Sequence, residues 1–241
     1  VGSGYDWNFQ NANGPDQVGA EGVYTPITHA YRYTGDENVR FSNTNDTAFA
    51  FDQFNQTASA SFEIWFRPEA LDNDEQVLWE TGGVNGASIT LDDDLLRFGT
   101  AASSGSPSEV EVLYTLSQAQ ADKFVHVVGV YDKENTETRL YVNGLLVDTV
   151  DALTATWSGT NGAGLGTQQD SAVGGFASEA VGDLFGTLIG EMAIFNFYDY
   201  ALSDAQVLAS FQAVAVPEPG SLVLLALGGL AVSLVLRRRR R

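Results

Sequence analysis

The chain has 241 residues, no cysteine and a formal net charge of −19. The lack of cysteine excludes disulfides, thiol chemistry and zinc sites with cysteine ligands. Five of the twelve basic residues are the terminal arginines 237–241, so residues 1–216 carry 30 acidic and seven basic side chains, a net charge of −23. An acidic surface repels phosphate backbones, and we expect no nucleic-acid partner. It suits a soluble secreted domain and would attract cations such as calcium.

Residues 40–211 contain short apolar runs separated by Gly, Asn, Asp and Ser, a pattern typical of an all-β sandwich or barrel. A body of this length suits one such domain. We expect residues 1–39 to form an N-terminal extension that adds an edge strand and packing. The predicted strands lie at residues 60–67, 77–80, 89–91, 95–98, 109–114, 123–131, 139–142, 145–148 and 186–197.

The strand at residues 60–67 alternates strictly, so we expect Phe62, Ile64 and Phe66 to face the core and Glu63 to point away from it. The strand at residues 123–131 is apolar on both faces, as expected of a central strand.

A hairpin and a helix start have clear local signals. Asn143 and Gly144 stand between two apolar runs and predict a type I′ turn, which needs positive φ at both residues. Ser203 and Gln206 predict a capping box at the start of a short helix. Segments rich in Gly and Ser at residues 101–107 and 158–175 predict long loops, where function usually lies.

Four segments, in this order, resemble motifs of laminin-G-like, concanavalin-A-like jelly rolls. They are residues 61–68, 124–132, 139–144 and 190–203, with Phe124 near a position where the family usually has Trp. The resemblance implies an antiparallel jelly-roll β-sandwich over residues 40–213. The family includes carbohydrate-binding lectins, adhesion modules and glucanases, so the fold alone does not choose the function.

Catalytic residues are not apparent in the sequence. Glucanases of this fold carry alternating carboxylates on one strand, whereas Glu63 is followed on its face by Trp65 and Arg67. Glu109 and Glu111 do alternate, but we interpret them as a solvated edge. The two histidines, His29 and His126, lack a recognisable catalytic context, and His126 is predicted to be a structural, hydrogen-bonded residue of the sheet. We therefore predict that the protein is not an enzyme.

Binding residues have weaker signals. Calcium is the cofactor that clustered carboxylates would suit. Asp92, Asp93 and Asp94 are better explained as a solvated turn, whereas Glu191 lies where the family often has an acidic residue tied to a structural ion or to a backbone amide. Trp157 borders a Gly-rich segment and is the best candidate for stacking on a sugar ring, although packing at the sheet edge is the favoured interpretation. The other strand tryptophans are predicted to pack in the core or on a sheet face.

The C-terminal segment, residues 214–241, has three parts. A short linker leads to Pro217, Glu218 and Pro219, then residues 221–236 carry no charge, and five arginines follow. With its flanking residues the uncharged run just reaches the roughly 17 residues needed for a transmembrane helix, and the arginines should stay in the cytoplasm. The prolines keep the preceding segment extended. The layout resembles the PEP-CTERM sorting signal of Gram-negative bacteria, which implies cleavage by an exosortase. A plain single-span anchor is the alternative.

These observations predict an exported, non-catalytic surface or matrix protein that binds carbohydrate or exopolysaccharide. A single C-terminal span would hold it transiently in the inner membrane before it reaches the cell surface. Two other functions stay open: a glycan-active enzyme of the same fold, and a purely structural envelope protein without a small ligand.

Overall fold

The computed structural model describes residues 5–9, 16–19, 27–35, 39–43, 54–73, 75–81, 85–157, 163–167 and 186–215. These residues form fifteen strands and one helix: β1 (Tyr5–Phe9), β2 (Asp16–Gly19), β3 (His29–Thr34), β4 (Val39–Asn43), β5 (Ala60–Pro68), β6 (Gln76–Glu80), β7 (Ala87–Asp92), β8 (Leu95–Ala101), β9 (Glu109–Thr115), β10 (Val125–Asp132), β11 (Glu137–Val142), β12 (Leu145–Val150), β13 (Ala163–Leu165), β14 (Gly186–Thr187), β15 (Ile189–Tyr198) and α1 (Asp204–Ala215).

The described strands form two sheets. The eight-stranded sheet has the order β1-β4-β13-β6-β7-β8-β9, with β14 beside β6, and the seven-stranded sheet has the order β12-β11-β10-β5-β15-β3-β2. Neighbouring strands are antiparallel, apart from the short parallel pairing of β14 with β6. The predicted all-β, antiparallel sandwich is confirmed. The first 39 residues contribute to both sheets, with β1 and β2 at the sheet ends.

The main core lies between the two sheets, and strand β5 shows its register. Phe62, Ile64 and Phe66 are fully buried in this core, as the alternation predicted. The Phe62 ring stacks on Trp79 with centroids 4.1 Å apart, and it also contacts the Phe98 ring at 6.0 Å. Aromatic pairs of this kind add to the free energy gained from burial alone. The strand register inferred from the sequence is therefore correct.

The opposite face of β5 is also buried, because α1 covers the outer face of the seven-stranded sheet. Glu63 points away from the core as predicted, yet it is 1% exposed, and the neighbouring Trp65 is fully buried. The Trp65 ring is parallel to the Phe211 ring of α1 at 5.8 Å. The outer face therefore carries a second, smaller layer of packing, which the alternation of β5 does not reveal.

The predicted hairpin and helix cap are both present. Asn143 has φ 51° and Gly144 has φ 78°, as a type I′ turn requires. The backbone N–H of Ser203 donates to Gln206 Oε1 at 2.9 Å, and the Gln206 N–H donates to Ser203 Oγ at 3.4 Å. The first bond satisfies the Ser203 N–H, while the Gln206 N–H also donates to the Ser203 carbonyl oxygen at 2.9 Å.

Two local predictions were wrong. Strand β13 lies inside the predicted loop at residues 158–175, where its glycine permits a close approach: a Cβ on Gly164 would lie 1.9 Å from the Thr167 carbonyl oxygen. The helix continues through Ala215, so Val214 and Ala215 are helical instead of forming a linker.

The described part of the chain holds no helix that is long and apolar enough to cross a bilayer. The predicted span at residues 221–236 lies outside the described residues.

Candidate functional site

A pocket of about 520 Å³ opens at the end of the seven-stranded sheet where α1 begins. We call it the Asp132 pocket. It combines the turn between β10 and β11 with the segment that enters the helix. Its lining consists mostly of polar side chains: Ser59, Asp132, Glu134, Asn135, Arg139, Tyr200, Ala201, Ser203, Asp204 and Ala205.

Asp132 organises the turn that forms one wall. Its Oδ1 accepts backbone hydrogen bonds from Glu134 at 3.2 Å and Asn135 at 3.1 Å, and its Oδ2 accepts one from Asn135 Nδ2 at 2.9 Å. This is the local side chain to backbone bonding by which Asp favours turns. Asp132 is only 3% exposed, so it stabilises the wall from within while its neighbours line the opening of the pocket.

Arg139 joins that wall to the start of α1. Its Nη2 donates to Asp132 Oδ2 at 2.7 Å, and its Nη1 donates to the Tyr141 hydroxyl at 2.7 Å. The Tyr141 hydroxyl in turn donates to Asp204 Oδ1 at 2.7 Å. Burial, followed by the hydrogen bond to Asp204, raises the pKa of Tyr141, so this phenol remains a donor at ordinary pH. The base of the pocket is therefore a connected and pre-organised polar network.

Exposed groups surround this base. Tyr200 is 45% exposed, and the Asp204 side chain is 75% exposed although its Oδ1 is held by Tyr141. Glu134, Asn135 and Ser203 are exposed as well. The pocket thus offers carboxylate, amide and hydroxyl groups beside an accessible aromatic ring.

The predicted sugar platform, Trp157, lies elsewhere. It is 1% exposed and packs in the main core, 5.4 Å from the Phe62 ring and 5.5 Å from the Phe197 ring. A ring enclosed in this way has no face available to a sugar. The prediction of ligand stacking by Trp157 was therefore wrong, because its large apolar surface is used to fill the sandwich.

Glu191, the predicted metal candidate, has its carboxylate occupied by two arginines. Oε1 lies 2.8 Å from Arg32 Nη2, and Oε2 lies 2.6 Å from Arg67 Nη2. Both oxygens of this carboxylate are therefore engaged by guanidinium groups. In the tri-aspartate turn, Asp92 Oδ2 lies 3.3 Å from Arg97 Nη2. Among the described residues, no group of three or more His, Cys, Asp or Glu could hold a metal ion.

A second polar cluster lies beneath α1. Glu63 Oε1 accepts from His126 Nε2 at 2.8 Å and from the Ser210 hydroxyl, while Oε2 accepts from Asn196 at 2.9 Å and the Tyr198 hydroxyl at 2.6 Å. The Ser210 hydroxyl donates to the carboxylate and not to the imidazole, so the three groups do not form a nucleophile with its base. His126 is buried and hydrogen-bonded within the sheet, as predicted. His29 is exposed, with Nδ1 3.0 Å from Thr28 Oγ1.

The Asp132 pocket was not apparent from the sequence. Asp132 and Arg139 lie within two of the four family-like segments, but those segments indicated strands and a hairpin. A detectable signal was the Asp at the end of a strand followed three residues later by Asn, which is typical of a side-chain-capped turn. The contribution of α1 depends on the packing of distant segments.

The fold is an antiparallel β-sandwich of the lectin-like class, and the Asp132 pocket lies at one end of it. The chain belongs to the Concanavalin A-like lectin/glucanases superfamily, which it matches over residues 34–208. Residues 215–241 match the PEP-CTERM protein-sorting motif. Both resemblances seen in the sequence are thereby confirmed. No match was found among the curated protein sequences.

Solved structures show the same fold. The binding domain of Botulinum neurotoxin DC in complex with rat synaptotagmin II has a TM-score of 0.58 at 14% identity, covering 87% of this chain and 46% of that one. The same domain in complex with SialylT gives the same values. Botulinum neurotoxin type C, whose cell entry is dependent upon interaction with two ganglioside molecules, gives 0.58 at 13% identity with the same coverage. The matched part is thus about half of each solved chain.

Proposed function

We propose that this is an exported surface protein that binds carbohydrate in the Asp132 pocket and is sorted through its C-terminal signal. The observation that carries the proposal is the pocket itself, a cleft of about 520 Å³ with convergent polar groups on a rigid base. The fold of the toxin binding domains supports a binding role, since one of those structures contains SialylT. The sorting motif supports export.

The chemistry of the pocket suits a saccharide. Sugar hydroxyls both donate and accept hydrogen bonds, and Asp204, Glu134 and Ser203 present complementary groups around the opening. Tyr200 is 45% exposed, and its aromatic ring can pack on the C–H face of a sugar ring. The paired Asp132 and Arg139 keep these groups in position.

The formal charge of the pocket favours some saccharides over others. The lining contains Asp132, Glu134 and Asp204 against the single guanidinium of Arg139, so the pocket carries a formal net charge of −2. Residues 1–216 add a long-range field of the same sign. Neutral or amine-bearing saccharides are therefore favoured over sialylated or uronic-acid ligands.

A glycan array probed with the whole chain in detergent tests this proposal. Tyr200→Ala should abolish the strongest signals, and Tyr31→Ala is a matched control because that tyrosine is 43% exposed on β3. Running the array with and without calcium measures any cation requirement. Loss of binding by Tyr31→Ala but not by Tyr200→Ala would place the ligand site elsewhere. No binding to any glycan would favour a structural envelope protein.

A further inference from the structure

Two exposed leucines lie at the end of the β11–β12 hairpin. Leu145 is 65% exposed and Leu146 is 45% exposed, directly after the type I′ turn. A Cβ on Gly144 would lie 3.0 Å from Phe211, so this turn touches α1. We call these two side chains the leucine tip.

The helix carries the chain towards the same end of the sandwich. Phe211, Val214 and Ala215 pack against an apolar cluster that includes Trp65 and Phe124, the residue just before β10. The backbone N–H of Asn143 donates to the His126 carbonyl oxygen, which places the hairpin turn at this end as well. Ala215, the last residue of α1, is four residues beyond Phe211, which is about one helical turn or about 6 Å along the helix axis. The chain therefore leaves the domain beside the leucine tip.

Little chain separates the helix from the uncharged run. Five residues, 216–220, lie between Ala215 and the run at residues 221–236. Fully extended, such a connection spans at most about 20 Å. If the run is inserted in a bilayer, the end of the domain that carries the leucine tip is held close to the membrane surface.

The Asp132 pocket lies at the other end of the sandwich. Strand β10 begins at Val125, beside the leucine tip, and ends at Asp132 in the pocket wall. Eight residues of extended strand separate the two ends by about 25 Å. A domain resting on its leucine tip would thus present its pocket away from the membrane.

We infer that the leucine tip contacts the lipid bilayer while the C-terminal run is inserted, and that it orients the pocket outward. Exposed leucines on an acidic domain lose contact with water when they enter the boundary between headgroups and acyl chains. The short connection keeps the tip at high effective concentration near that surface. This inference rests on the membrane insertion of the proposed sorting signal.

Single-cysteine labelling tests the contact, since the chain has no native cysteine. Leu145→Cys and, as control, Asn135→Cys at the pocket would each carry an environment-sensitive fluorophore. The whole chain would be reconstituted into phosphatidylcholine vesicles with and without brominated acyl chains, which quench fluorophores in contact with lipid. We expect the label at position 145 to lose most of its fluorescence in brominated vesicles and the label at position 135 to keep it. Leu146→Cys repeats the test at a second position, and circular dichroism checks the fold of each variant.

Other outcomes overturn the inference in distinguishable ways. Flotation of the vesicles in a density gradient shows whether the chain is bound to them. Flotation of the chain without quenching at positions 145 and 146 would show an inserted chain whose leucine tip does not touch lipid. Quenching at position 135 alone would show the reverse orientation. The emission of the label at position 145 could instead shift with the amount of protein per vesicle and not with bromination of the lipid. That result would show that the tip contacts a second copy of the chain. Failure of the chain to float with vesicles would instead contradict membrane insertion itself.

Discussion

The Glu63 carboxylate and the His126 imidazole lie 2.8 Å apart, from Oε1 to Nε2, and both residues are at most 1% exposed. They stand on adjacent strands, β5 and β10, where His126 is the neighbour of Trp65 in the register. Ser210 of α1 donates to the same carboxylate. The pair therefore links the helix to the sheet, and its contribution to stability depends on the charge of Glu63.

Glu63 should make stability depend on acid pH. Burial alone would raise its pKa, but hydrogen bonds from His126, Asn196, Ser210 and Tyr198 outweigh burial and lower the pKa from 4.5 to about 2. Because the folded-state pKa is depressed, the stabilisation is complete above pH 4.5 and is lost as the pH falls towards 2. The shift corresponds to about 3 kcal/mol. Urea unfolding of wild type and Glu63→Gln at pH 7 and pH 2.5 measures this difference.

The control for this experiment is Glu111→Gln, which alters an exposed carboxylate on β9. Its free energy of unfolding should follow that of the wild type at both pH values. A difference between wild type and Glu63→Gln that is equally large at pH 7 and pH 2.5 would show that the carboxylate charge is not the source of the stabilisation.

The sequence identified the sandwich because its signals are local. The alternation around Phe62, the Asn143–Gly144 turn and the Ser203 cap each involve neighbouring residues, and all three are present. The burial of Glu63 was not predictable in the same way, since its cover comes from α1, 147 residues away at Ser210. Burial of Trp157 likewise depends on which distant strands enclose it. The burial of both residues therefore depends on long-range packing, which local sequence patterns do not reveal.

Gly144→Val should destabilise the domain. Gly144 has φ 78°, where a β-branched residue is strained, and an added Cβ would lie 3.0 Å from Phe211 of α1. We expect a loss of about 1–3 kcal/mol in the free energy of unfolding, measured by chemical denaturation. Gly144→Asn should lose less, because Asn tolerates positive φ. Equal losses for both variants would assign the effect to the contact with Phe211 instead of to the backbone.

Glu191 should stabilise the fold through its arginines and without a metal ion. Glu191→Gln removes the charge that faces Arg32 and Arg67, and we expect it to lower the free energy of unfolding by about 1–3 kcal/mol. Adding EDTA should leave the thermal midpoint of the wild type unchanged. Asp92→Asn is the control, as it changes an ion pair with Arg97 whose carboxylate side chain is 31% exposed. A midpoint that falls with EDTA in the wild type, but not in Glu191→Gln, would restore the metal hypothesis.

The C-terminal sorting signal should be cleaved in the cell. Residues 215–241 match the PEP-CTERM motif, and its Pro217, Glu218 and Pro219 follow α1 after a single residue. We expect cleavage near these three residues in cells that contain an exosortase. The mass of the released form, measured by mass spectrometry, gives its C-terminal residue directly.

Changing Pro217, Glu218 and Pro219 together to Ala separates sorting from anchoring. The uncharged run and the arginines are unaltered, so export and membrane insertion should continue. Alanine removes the fixed φ of the two prolines, which we expect to keep the cut site extended, and alanine also favours continuation of a helix. Processing should therefore stop, and uncut protein should accumulate in the inner membrane, as cell fractionation and immunoblotting would show. A matched control replaces Ser221 and Ser233, polar residues of the run, with Ala and should be processed normally. Native surface protein that keeps residues 222–236 would instead identify the segment as a permanent anchor, because an exosortase would have removed that run before the protein reached the surface.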